Sequence, residues 1–264
     1  MRSYECTISL VDYYEEEAKL KLAVTTVGRR GPDEDEGCNM ERFRAAELAL
    51  AKVADLGADL IVLPGGFFTA HSSRARDTIA NSLISKAKEI GIAIIFGIDQ
   101  EVKSLSTDYH REIQSGGLPF YGYAWSPSEN VIHCWAQRST NNQNQWWAPE
   151  KACREMRLLG IGDEIVAVLM CGEIFNQRIR QALSNYQPRA KVVVDVAHVG
   201  SGFRVWQGMK KLAKLGRASV CSVHVQLEYA VKYCYDPKRG CLSTRIRDGY
   251  VFGPPRIELK LWTF

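Results

Sequence analysis

Cys171 closes the apolar run Ile165-Val166-Ala167-Val168-Leu169-Met170 and is followed by Gly172-Glu173-Ile174-Phe175-Asn176 and a helix-like stretch. A buried strand that stops at a thiol, turns at a glycine and enters a helix suits a nucleophile held at a strand end. A cysteine at the end of a buried strand also serves as a small packed hydrophobe. The Gly-Glu pair at the turn favours the nucleophile. A thiol needs a neighbour to activate it, and two titratable side chains are candidates. Glu173 lies two residues on, and His198 ends the next apolar run, at 190–196. A Cys–His pair is chemically sensible for a thiol nucleophile, although a lone histidine beside a strand end is more often structural.

The elements that must position these residues follow from hydrophobic period. Residues 1–18 are an N-terminal arm or edge strand, and 19–27 are a strand. The acidic, Gly-containing segment 28–38 is an exposed loop. Asn39 caps a helix with Glu41 in its first turn. Phe43, Ala46, Leu50, Val53 and Ala54 fall on one face of it, and Gly57 closes it. A buried strand at 58–63 runs into Pro64-Gly65-Gly66. A second helix spans 74–90 with Gly91 as terminator, followed by a buried strand at 92–98. Strands at 120–125 and 131–138 precede a loop rich in Asn, Gln and Trp. The Cys171 strand leads into a helix at 176–185. The strand at 190–196 is followed by a helix at 207–218, paired strands at 219–226 and 230–235, and a last strand at 256–262. Strands alternating with helices early, and hairpin-like pairs later, specify an α/β layered domain with mixed sheets.

The 264 residues suffice for one such domain with a real core, and no apolar run is long enough to span a bilayer. The N-terminus lacks a signal core, so a cytoplasmic location is the default expectation. The eight cysteines have no CxxC pair and read as reduced thiols. Cys221, His224, Cys234 and Cys241 cluster, but on a strand Cys221 and His224 point to opposite faces, so no metal is expected there. From residue 198 onward there are 12 Lys and Arg against 4 Asp and Glu. With no nucleic-acid motif beside it, this charge reads as a solvated surface or a subunit contact rather than a nucleic-acid site.

Four strings in this order resemble the carbon–nitrogen hydrolase (nitrilase) superfamily. They are Leu56-Gly57-Ala58-Asp59-Leu60-Ile61-Val62-Leu63-Pro64, the segment from Ala87 to Ile98, the strand into Cys171, and Lys191 to Ala197. The resemblance covers about residues 20–215. It implies one domain over 1–264, with the arm at 1–18 and a divergent basic part at 216–264. It also implies a nitrilase-like four-layer α-β-β-α sandwich, a homodimer, and a Glu–Lys–Cys triad acting on an amide or nitrile through a thioester, with no cofactor. On that pattern Cys171 is the nucleophile and the Gly172 N–H faces an oxyanion. The catalytic Glu would follow Pro64, where this chain has Gly65. The Lys would end the strand at 131–138, where this chain has Arg138, or Gln137 under a one-residue shift. An arginine keeps positive charge but cannot shuttle a proton. Glu150, Glu173 and His198 are the candidate substitutes, Glu150 by a loose match in spacing. Trp125, Trp135, Trp146 and Trp147 surround the Lys position and either line a pocket for a flat ligand or pack a core. Two functions follow as expectations. One is a nitrilase-fold pseudoenzyme that binds a small amide-like molecule or a partner protein. The other is a divergent thiol-dependent amidase.

Overall fold

The computed structural model describes residues 20–27, 39–100, 118–139, 150–198, 203–224, 231–236, 240–245, 250–252 and 257–264. The expected N-terminal arm, the loop at 28–38, and Trp146 and Trp147 lie outside these residues.

The strands are β1 (Lys21–Val27), β2 (Leu60–Val62), β3 (Phe68–Ala70), β4 (Ala93–Gln100), β5 (Leu118–Trp125), β6 (His133–Gln137), β7 (Leu158–Ile161), β8 (Glu164–Met170), β9 (Val192–Ala197), β10 (Ser219–His224), β11 (Val231–Asp236), β12 (Gly240–Arg245), β13 (Tyr250–Phe252) and β14 (Ile257–Thr263). The helices are α1 (Asn39–Asp55), α2 (Ser73–Ile90), α3 (Glu150–Arg154), α4 (Gln177–Asn185) and α5 (Phe203–Gly216), with a single 3-10 turn at Cys171–Phe175. One sheet runs β13-β14-β1-β2-β4-β5-β6, with β3 also paired to β4; the other runs β12-β11-β10-β9-β8-β7. Each is built the same way. A parallel trio (β1, β2, β4 in one; β8, β9, β10 in the other) is flanked by antiparallel strands.

Both sheets are mixed, as the sequence pattern requires, and they stack face to face. Leu22, Val24, Leu60 and Ile95 of the first sheet meet Val166, Val168, Val194 and Val223 of the second in one buried layer. The outer face of the first sheet packs on α1 and α2 through Ala46, Leu50, Leu83 and Ala87. The outer face of the second packs on α4 and α5 through Ile179, Met209 and Leu212. These three cores make four layers, α-β-β-α. The strands between two cores are apolar on both faces, which is why they read as continuous apolar runs.

Local details differ from the expectations at the edges. Asn39 does not cap α1 from outside. It is the first helical residue, and its amide donates to the Thr69 carbonyl (2.6 Å) and accepts from the Thr69 N–H (3.2 Å), tying α1 to β3. The N-cap of α2 is Ser72, whose hydroxyl accepts from the Ala75 N–H, and Gly91 closes that helix at φ 80°. Asn176 caps α4 by accepting from the Arg178 and Ile179 N–H groups. Strands β3, β7, β12 and β13 and helix α3 escaped the sequence reading; all but β12 are five residues or fewer, too short to carry a measurable period.

Candidate functional site

The parallel strands of the two sheets bring four C-terminal ends together. β2 runs out into Leu63-Pro64-Gly65, β4 ends in Asp99 and Gln100, β8 ends at Cys171, and β9 ends at His198. The Gly65 N–H donates to the Ala197 carbonyl at 3.0 Å, so the strand ends of opposite sheets touch. In α/β folds the crevice beyond the carboxyl ends of strands is where ligands bind.

Cys171 sits at the break between β8 and the 3-10 turn with φ 49°. The left-handed region is costly for a residue with a Cβ and is kept where surrounding structure imposes it. Here it swings the half-buried thiol out of the strand direction and against the intersheet layer. His198 is the first residue past β9. Its Nε2 lies 2.5 Å from Asp99 Oδ1, and the Cys171 side chain is near enough to the ring to act on it. Burial alone would lower the imidazole, but the hydrogen bond and charge of Asp99, with Cys171 adding to them, push it up to about 10. At neutral pH His198 is therefore an imidazolium set between a carboxylate and a thiol.

Glu173 and Arg138 occupy a different place. Glu173 is fully buried beneath the turn. It accepts from the Arg138 backbone N–H (2.7 Å), Arg138 Nη2 (3.1 Å), Arg157 Nη1 (3.0 Å) and the Met170 N–H (3.2 Å). Burial would raise its carboxyl; Arg157 and Arg138 outweigh that and hold it below the usual range. Arg138 Nη1 donates to the Ala152 and Glu155 carbonyls. Arg157 Nη2 donates to the Ala136 carbonyl, and burial pulls this guanidinium down to about 10 against the pull of Glu173. Arg138 is thus tied to Glu173 and to backbone carbonyls, and the three side chains brace the segments before and after β8.

Gly65 stands where the resemblance asks for a carboxylate. A Cβ there would lie 2.8 Å from Phe120 Cζ and 3.0 Å from the Ala197 carbonyl carbon. A Cβ on Gly66, which has φ 65°, would lie 2.8 Å from His198 Cδ2 and 2.9 Å from Asp99 Oδ2. Phe120 and the Ala197 backbone fill the room that a side chain at 65 would need, and the His198–Asp99 pair fills the room at 66. The Gly172 residue is buried at the start of the 3-10 turn. The Glu150 side chain lies outside the described residues. Trp125 is buried, and Trp135 stacks on His133 at 5.1 Å and packs against the intersheet layer.

Three residues of this cluster escaped the sequence reading. Asp99 follows the apolar run at 92–98 by one position, and a polar residue ending a buried parallel strand is the one signal that marks it. Arg157 gives no local signal. Asp195 lies inside β9 among valines, fully buried. Burial pushes its carboxyl up to about 8, against hydrogen bonds from the Ser222 hydroxyl (3.0 Å) and the Cys171 backbone N–H.

That shift makes a prediction. The native carboxyl keeps its proton up to about pH 8, whereas an unfolded aspartate loses it near ~3.9. Between these values the native state binds the extra proton, so stability falls as pH rises. Asp195→Asn removes this group, and the difference in melting temperature between variant and wild type should grow in the variant's favour from pH 5 to pH 8. Parallel curves over that range would contradict the assignment.

The two mixed sheets between layers of helices have the arrangement of the nitrilase fold. No family model matches the chain, and no curated protein matches it. Among solved structures, an amidase from Nesterenkonia sp. AN1, in a form with acrylamide added at its active-site cysteine, superposes with a TM-score of 0.66 at 12% identity over 91% of this chain and 92% of that one. A CN-hydrolase superfamily protein from Xanthomonas campestris, with an arsenic adduct in its active site, gives 0.64 at 14% identity over 94% and 91%. At such identities the likeness is one of fold.

Among the described residues no group of side chains fits a metal ion, and no helix is long and apolar enough to cross a membrane.

Proposed function

We propose that this chain is a thiol-dependent hydrolase of small amide-like substrates, with Cys171 as nucleophile and the His198–Asp99 pair in place of the family's Glu and Lys. The observation that carries this reading is the position of the His198 ring, bonded to Asp99 and close enough to the Cys171 side chain to interact with it. An imidazolium beside a thiol is the setting in which thiolates act as nucleophiles. The thiolate attacks the carbonyl carbon. The oxyanion is met by the Gly172 N–H. His198 gives its proton to the leaving nitrogen as the C–N bond breaks, which leaves a thioester on Cys171. Water then attacks the thioester carbon and loses a proton to His198, the C–S bond breaks, and the acid departs. Asp99 holds the imidazole in orientation throughout. Arg138 and Glu173 act by bracing the turn rather than by touching substrate.

The amidase among the structural neighbours, seen with acrylamide added at its active-site cysteine, supports this choice of substrate class. The homodimer implied by the sequence resemblance belongs to the same proposal. A second reading, a nitrilase-fold protein that only binds an amide-like ligand or a partner, is favoured by Gly65, which has no room for the family's carboxylate. Intact-mass spectrometry separates the two. With a panel of small amides and activated esters, wild type should gain an acyl mass on Cys171 and release ammonia or alcohol, and Cys171→Ala should do neither. No adduct and no product from any member of the panel would overturn the enzyme reading and leave the binder.

A further inference from the structure

The ring of Phe120 is the part of this site that neither the chemistry above nor the sequence pattern uses. Phe120 lies directly opposite Asp99 in the antiparallel β4–β5 pair, so both side chains rise from the same face. Gly97, two residues before Asp99, shares that face. The β5–β6 register shifts between Leu118 and Tyr121, an irregularity that spans Phe120; such bulges re-aim a side chain. The ring leans over two glycines. A Cβ on Gly97 would stand 2.7 Å from Phe120 Cζ, and one on Gly65 would stand 2.8 Å from the same atom. Its far side meets His198, with ring centroids 4.1 Å apart and planes at 62°. Phe120 is 3% exposed, so the ring is held in this wedge.

We infer that Phe120 is a positioning residue that wedges the His198 imidazole toward Cys171, seated in a slot that Gly65 and Gly97 leave open. The inference rests on the reading of Cys171 and His198 as a working pair. Asp99 fixes one nitrogen of the imidazole but leaves rotation about that bond. The Phe120 ring, in contact with the imidazole, limits that rotation. The same slot explains the missing carboxylate, since a side chain at 65 and the ring at 120 exclude each other.

The test is a double-mutant cycle read by the rate at which iodoacetamide labels Cys171 at pH 7, in Phe120→Leu, His198→Asn and the double variant. Displacement of a reacting group by a fraction of an ångström typically costs about tenfold or more. Phe120→Leu should therefore slow labelling about tenfold when His198 is present and not at all in the His198→Asn background, a non-additivity that general loosening of the fold does not produce. Gly97→Ala, which pushes the ring from below, should slow labelling in the same His198-dependent way. If Phe120→Leu does not fold, Phe120→Met, closer in volume, carries the same cycle. Equal slowing in both backgrounds, or none in either, would overturn the role of Phe120. Failure of His198→Asn itself to slow labelling would instead overturn the Cys171–His198 reading on which this inference stands.

Discussion

Glu173→Gln is expected to destabilise the protein by about 3–5 kcal/mol, the loss seen when one member of a buried ion cluster is removed and its partners stay behind. Glu173 is fully buried and pairs with two guanidiniums that are themselves 4% and 6% exposed. The amide would keep the shape and some hydrogen bonds, yet two positive charges would remain out of water, with the charge of Glu155 left as a weaker offset at Arg157. Domains of this size carry only about 5–15 kcal/mol of net stability, so the variant should unfold at a much lower urea concentration. The arginines are coupled to the same carboxylate, so Arg138→Met should cost less in the Glu173→Gln background than in wild type. A loss under about 1 kcal/mol in urea unfolding would show that the cluster is solvated and does not brace the turn. The cluster also reaches the site. Glu173 holds the Met170 N–H one residue before the nucleophile, so loosening it should release the left-handed turn at Cys171.

His198→Asn is expected to lower acyl transfer from a reactive ester by about 10²–10⁴, the range that a positioned acid–base group supplies. The asparagine can still bond Asp99 but carries no transferable proton. Asp99→Asn should lower the rate by less, because the imidazole remains and loses only its orienting charge. The order of the two losses matters. A larger loss in Asp99→Asn than in His198→Asn would mean that the carboxylate itself meets the substrate. The raised imidazole adds a pH signature. Its protonation favours the folded state fully below the unfolded value near ~6.5 and fades as pH rises through about 10.

Much of this arrangement is legible in the chain. Cys171 is visible because an apolar run stops at it and a glycine follows, and His198 because it ends the next such run. The four-layer order is legible because strands covered on both faces are apolar at every position, as in Val192-Val193-Val194. What stays hidden is what depends on pairing over distance. Asp99 and His198 are 99 residues apart and share no local pattern. Arg157 finds Glu173 only because β7 and β8 fold back on each other. The positive charge at Arg138, placed by resemblance where a lysine was expected, is spent on Glu173 and two carbonyls, and only the three-dimensional contacts reveal that. The doublet Gly65-Gly66 reads in sequence as a loss, whereas in space it is the opening that admits Phe120, His198 and Asp99.

The central claim is that His198 makes Cys171 a working nucleophile, and the rate of iodoacetamide labelling at Cys171 near pH 7, followed by peptide mass spectrometry, tests it most directly. The pair predicts labelling in wild type at least about tenfold faster than in His198→Asn. Equal rates in the two proteins, both no faster than free cysteine, would contradict it.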